Sequence, residues 1–237
     1  MCVEGERMRT FLIAVALLAT AATPVDAATR NFGITGFTKI RVSGPYKVNI
    51  QTDVPPFVRA SGSPAATDRI AVEVRGDTLV VQADPSWGGY PGRDPGPVEI
   101  TIGTHDLKSA SLIGSGAMSI DKVRSQTFAL MVQGSGVGQI ASIATDRLDV
   151  SLEGSANARV AGKAGKVVAL VRGMSALDAT ALSTPSADIS ADGAAAVNAT
   201  VTDTARLSST GPATIRFAGR PACDLNGVGS ATVSGCR

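Results

Sequence analysis

Aromatic side chains make up only 4% of this 237-residue chain. A core built with so few rings has to be narrow, filled by small and β-branched side chains. Histidine is scarcer still, His105 being the only one. One imidazole cannot supply the usual ligand set of a zinc site, and beside Asp106 it reads as a solvated loop residue, since acid–base work needs a partner placed by the fold. The chain has no His-Glu-x-x-His, no Gly-x-Ser-x-Gly, and no Walker or dinucleotide-binding glycine pattern. No catalytic residue, cofactor or metal is expected. Charged residues are 18% of the chain and nearly balanced, with a formal net charge of +2. No basic stretch concentrates them, which argues against nucleic acid as a partner.

Long apolar runs are also missing, apart from Phe11 to Ala22 behind Arg7 and Arg9. That run is too short to span a membrane. With small residues at Val25 and Ala27 it reads as a secretory signal peptide, residues 1–27, cleaved after Ala27. Residues 1–27 hold two basic and three acidic side chains, so the mature chain carries +3 (2 − (−1)). Export to the periplasm or beyond is the expected destination. Of three cysteines, Cys2 leaves with the signal, and Cys223 and Cys236 remain. In an oxidising compartment the pair reads as a disulfide, and its short loop is worth about 3 kcal/mol on the chain-entropy model.

Glycine, by contrast, is plentiful and periodic. The segments Leu112-Ile113-Gly114-Ser115-Gly116, Val132-Gln133-Gly134-Ser135-Gly136 and Leu152-Glu153-Gly154-Ser155-Ala156 repeat one pattern, with weaker copies at Gly173, Gly193, Gly211 and Gly227. Successive steps are 20, 20, 19, 20, 18 and 16 residues. Aligned on these glycines, the positions two before, four before and six after are overwhelmingly apolar, while the position one before is nearly all polar. Alternation broken by a glycine at a fixed period describes an all-β, single-domain β-solenoid of about 18–20 residues per repeat. Each glycine is expected to make a corner that needs positive φ or close backbone approach, with the following serine bonding a free backbone group there. Gly44 fits the same frame, with Ile40 and Val42 before it and Val48 and Ile50 after it. Residues 28–237 therefore read as one domain, less regular to about 105 and repetitive over 107–237.

Within the first part, Ile70, Val72 and Val74 alternate, Arg75-Gly76-Asp77 turns, and Thr78 to Gln82 returns as a hairpin. The tripeptide is one that integrins read, yet glycine and aspartate are also what a turn requires. Residues 84–97 are a Pro/Gly loop carrying Trp87 and Tyr90, which either bind a ligand or cap the core. Glu153, Arg172 and Asp192 stand on successive repeats with alternating sign, either as a surface charge ladder or as part of a ligand face. Asp149 and Asp188 share a column two repeats apart, about 9.6 Å along the axis. That is too far to share one calcium ion.

The signal peptide, Phe37-Thr38-Lys39-Ile40-Arg41-Val42-Ser43-Gly44, the hairpin strand Asp77-Thr78-Leu79-Val80-Val81 and the serial Gly-Ser-Gly turns together resemble the autotransporter adhesin head GIN domain family. The resemblance covers about residues 35 to 235. It implies a right-handed parallel β-helix of the pectin-lyase-like kind and a role in cell adhesion. His105-Asp106-Leu107 departs from the proline that relatives place there. No series of amphipathic strands follows the repeats, so self-translocation through a C-terminal barrel is not expected.

Three functions stay open. The first is a non-catalytic, adhesion-like exported module binding a cell-surface, envelope or glycan ligand. The second is a carbohydrate-active lyase or hydrolase, which would need carboxylates on adjacent repeats of one face. The third is an envelope assembly scaffold, a homo-oligomer formed through the unpaired strand edges at a solenoid end.

Overall fold

The computed structural model of the protein describes residues 28–84, 96–227 and 229–237. The expected signal peptide, Trp87 and Tyr90 lie outside the described residues. In chain order the elements are β1 (Ala28–Phe32), β2 (Lys39–Ser43), β3 (Lys47–Thr52), β4 (Phe57–Gly62), α1 (Pro64–Thr67), β5 (Ile70–Arg75), β6 (Thr78–Ala83), β7 (Glu99–Thr104) and β8 (Ser109–Gly114). The long strands follow: β9 (Ala117–Gly134), β10 (Val137–Gly154), β11 (Asn157–Arg172), β12 (Ala176–Asp192) and β13 (Ala196–Thr210). β14 (Thr214–Ala218), β15 (Ala222–Asn226) and β16 (Thr232–Ser234) finish the chain. The long strands pair in parallel, each with the next, as stacked coils of a β-solenoid of about six turns.

Each long strand is bent. In β9 the buried residues are Met118, Ile120, Val123, Phe128, Leu130 and Val132. A straight strand buries every second residue, so the intervals of three and five mark two corners. A third corner lies at the glycine. The coil therefore has three faces: a first from Ala117 to Ile120, a second from Lys122 to Ser125, and a third from Thr127 to Gly134, each extended by its partners in neighbouring coils. The inward columns make one continuous core. Sequence alignment on the glycines recovers three of these columns. It overlooks Phe128, Leu148, Val167, Ala187 and Ala205, six before each glycine and all buried.

Changes in repeat length fall at the corners away from the glycine. The 19-residue coil drops a residue between Ile140 and Ile143 of the pairing ladder, and the 18-residue coil shifts register between Ala179 and Ser183 and between Thr184 and Ser186. The faces beyond each shift return to register, so a length change costs the ladder little.

Gly44, Gly114, Gly134, Gly154, Gly173, Gly193 and Gly211 all have positive φ. From Gly114 to Gly211, an added Cβ would lie 2.5 to 3.2 Å from the carbonyl oxygen of the glycine one coil back. Gly44, between β2 and β3, instead lies under the ring of Tyr46. Gly227 departs from the expected column. The register pairs Ser208 with Asn226 and Thr214 with Thr232, which aligns Gly229 with Gly211. A Cβ on Gly229 would lie 3.6 Å from the Ser209 carbonyl, whereas nothing approaches Gly227 within 4 Å. The last step is thus 18 residues, like the one before it, and the apparent 16 came from counting to the wrong glycine.

The serine after the glycine does not have the expected hydrogen-bonding role. The backbone N–H groups of Ser135, Ser155 and Met174 donate to the preceding coil's glycine carbonyl at 2.8 to 3.0 Å. Met174 occupies the position with 71% exposure; the hydroxyl that bonds backbone at such a corner belongs to Ser175, one residue further on, which donates to the Arg172 carbonyl and accepts from the Ala156 N–H.

At the N-terminal end, sequence order and spatial order part company. β2 pairs in parallel with both β6 and β8, and β3 with both β7 and β9. The later β6–β7 coil therefore lies outside the earlier β2–β3 coil. β5, β4 and β1 pair antiparallel on the outer edges of β6, β7 and β4 respectively and close that end. The β5–β6 hairpin turns at Gly76, whose φ of 62° suits the first central position of a type II′ turn. Short α1 starts on Ser63, whose hydroxyl accepts from the Ala66 N–H, with Pro64 in the first turn.

At the other end β15 and β16 cover β13 and β14. Cys223 in β15 is bonded to Cys236 just beyond β16, joining the two strands of the last coil.

Gly134→Val should lower stability by about 3 kcal/mol, because it combines positive-φ strain with a backbone clash, while Ser135→Ala should stay within about 0.5 kcal/mol. Equal shifts in denaturant melts would contradict this corner geometry. Replacing both Cys223 and Cys236 by serine should cost about 3 kcal/mol. Hydrogen exchange should show protection lost first in β15 and β16; uniform loss along the solenoid would show that the bond does not act locally.

Candidate functional site

The third face carries the alternating charges picked out from sequence. Glu153, Arg172 and Asp192 are neighbours on consecutive coils: Arg172 lies 3.7 Å from the Glu153 carboxylate and 3.5 Å from that of Asp192. The ladder extends further, since Gln133 donates to Glu153 at 2.7 Å and Thr210 to Asp192 at 2.6 Å. In the outward column four residues earlier, Asp149 pairs with Arg147, Asp188 with Lys166 at 2.5 Å, and Asp224 with Arg206. Val168 stands between Asp149 and Asp188, and Arg206 between Asp188 and Asp224. The acids of this face alternate with cations or apolar side chains and are already engaged.

The first face differs. Five residues after each glycine its side chains point outward, and the ladder places Asn49, Ser119, Gln139, Arg159, Asp178, Asn198, Arg216 and Ser234 one above another. Every member of this column is polar. Beside it runs a second outward column with Val137, Asn157, Ala176 and Ala196, and between Val137 and Asn198 the two columns line an open trough of about 310 Å³. Within the column, Arg159 pairs with Asp178 at 3.1 Å. Asp178 also accepts from the Thr180 hydroxyl at 2.7 Å and from the Thr180 N–H. These bonds from Thr180, then that from Arg159, hold the Asp178 carboxyl below its ordinary range. The side chains of Gln139, Asn198 and Arg216 make no hydrogen bond or ion pair among the described residues. Sequence reading missed this column because attention went to the apolar positions. The signal was present: counting five from each glycine returns a polar residue every time.

His105 is exposed, and its carbonyl accepts from the Asp53 N–H. The Arg75-Gly76-Asp77 turn is tied down: Asp77 binds Lys39 at 3.1 Å and Thr78 at 3.1 Å, and Arg75 pairs with Glu73. Bonds from Lys39, then Thr78, lower the Asp77 carboxyl. Lys122 lowers Asp53, and Lys47, then Asn49, lower Glu99.

The sequence matches the family model described as "Putative auto-transporter adhesin, head GIN domain" over residues 36–221. The chain belongs to this family. Solved structures share its fold. A "putative adhesin" from Bacteroides fragilis superposes with a TM-score of 0.81 at 21% identity, covering 87% of this chain and 95% of that one. A "putative lipid binding protein" from Parabacteroides distasonis gives 0.71 at 20% identity, with the same coverage. A "putative adhesin" from Parabacteroides merdae gives 0.67 at 16%, again covering 87% and 95%. At these identities the likeness is one of fold alone. No curated protein matches the sequence. Among the described residues of this GIN domain, no helix is long and apolar enough to cross a membrane.

The depressed carboxyls set a pH dependence. Asp53, Asp77, Glu99 and Asp178 bind protons more weakly folded than unfolded, so their contribution is full above the ordinary carboxylate range, about pH 4. It is lost as pH falls through their lowered folded values. Denaturant midpoints should hold between pH 6 and 8 and fall below about pH 4, less steeply in 1 M salt, where exposed pairs are screened. A midpoint unchanged down to pH 2 would rule out these pairs as contributors.

Proposed function

We propose that this chain is an exported, non-catalytic binding module that recognises a cell-surface or envelope ligand with the first face of its solenoid. The observation that carries this reading is the contrast between two faces built on one scaffold. On the third face, neighbouring coils consume each other's charges and hydrogen bonds. On the first, Gln139, Asn198 and Arg216 keep their capacity for an outside partner. Family membership agrees with adhesion, and the signal-like residues 1–27 agree with a periplasmic or extracellular location. A lyase or hydrolase draws less support, because on the third face cations or Val168 separate the acids that such chemistry would bring together. An end-to-end scaffold also draws less support: β15 and β16 are short, and short edge strands resist pairing.

Labelled protein comprising residues 28–237 should bind intact cells or isolated envelopes of the producing organism saturably, in competition with unlabelled protein. The variant Gln139→Ala, Asn198→Ala, Arg216→Ala should lose most of that binding, while Ser151→Ala with Ser208→Ala on the third face should keep it. Absence of saturable binding, or equal loss in both variants, would refute the assignment.

A further inference from the structure

Building on that reading, we infer that the first-face trough holds a linear, neutral polysaccharide running along the solenoid axis. Four observations point to this chemistry. The column offers one hydrogen-bonding side chain per coil, and from Gln139 to Arg216 five of them cover four coil spacings, about 19 Å. A repeating site of this kind suits a repeating ligand.

The side chains themselves are suited to hydroxyl groups. Amides such as Gln139 and Asn198 both donate and accept, as does each sugar hydroxyl. Asp178 is an acceptor fixed in place by Thr180 and Arg159, so little ordering cost remains at that point.

Charge is close to balance. Arg159 and Asp178 neutralise each other, leaving Arg216 as the one unpaired charge of this column between Gln139 and Arg216 among the described residues. A polyanion would call for several. A protein partner would call for an apolar or aromatic centre, and among the described residues the outward side chains of this face include no aromatic and only Val137 as a large exposed hydrophobe.

Finally, the floor is low. Ala176 and Ala196 leave room beside the taller Asp178 and Asn198, so a chain can lie against the face.

The test is calorimetry on residues 28–237 with neutral gluco-, manno- and galacto-oligosaccharides of two to eight units, and with oligogalacturonate as the acidic counterpart. At least one neutral series should bind, tightening with length until about five units and then levelling off. Gln139→Ala with Asn198→Ala should weaken it about tenfold or more without moving the melting temperature. No binding by any neutral series, or an unaffected double variant, would overturn the inference. So would binding of oligogalacturonate alone, abolished by Arg216→Ala. If envelope binding survives periodate oxidation of the glycans, the polysaccharide assignment falls while the binding-module reading stands.

Discussion

Close stacking of one glycine on the next is the constraint on which the rest of this structure depends. Along the corner, a glycine carbonyl sits within 2.5 to 3.2 Å of where the next coil's glycine would carry a Cβ. At Gly114, Gly134 and Gly154 the same carbonyl accepts a backbone N–H from that coil. A side chain there would push adjacent coils apart, breaking the parallel ladder on the faces either side. Because the corner is held by backbone, the position after the glycine is released to solvent, and serine there gives way to Met174. The next position is buried and admits only small residues: Gly116 and Gly136, then Ala156, Ser175, Ala195 and Ala213.

With coils at one fixed spacing, every position becomes a column. Inward columns form a core whose width is set by three short faces, which is why alanine and valine recur in it and phenylalanine is rare. Buried polar residues stay compatible with this core by bonding to backbone: Ser209 donates to the Ala191 carbonyl, and Ser175 to that of Arg172. Outward columns bring like positions together, so each must manage its own electrostatics. The third face does so by alternating sign; the first does so by using mostly uncharged polar groups.

The ends require other devices, since a ladder leaves its last strands unpaired. Antiparallel β1, β4 and β5 close one end, reached by a chain that lays its later coil outside its earlier one. A disulfide ties the short strands of the other.

The sequence by itself determined the solenoid, because the glycine period and the alternating apolar positions are local and survive in one dimension. It also determined the hairpin at Gly76 and the cysteine pair. Only tertiary structure decided which glycine closes the last coil, because Gly227 and Gly229 both follow an apolar stretch near the end of the period and strand register separates them. It decided the placement of β6 and β7 outside β2 and β3, which is a non-local pairing that no short pattern encodes. It also decided which polar columns are spent and which are free. Gln133 and Gln139 look alike in sequence, yet stacking places Glu153 against the first, whereas the second remains without a partner among the described residues.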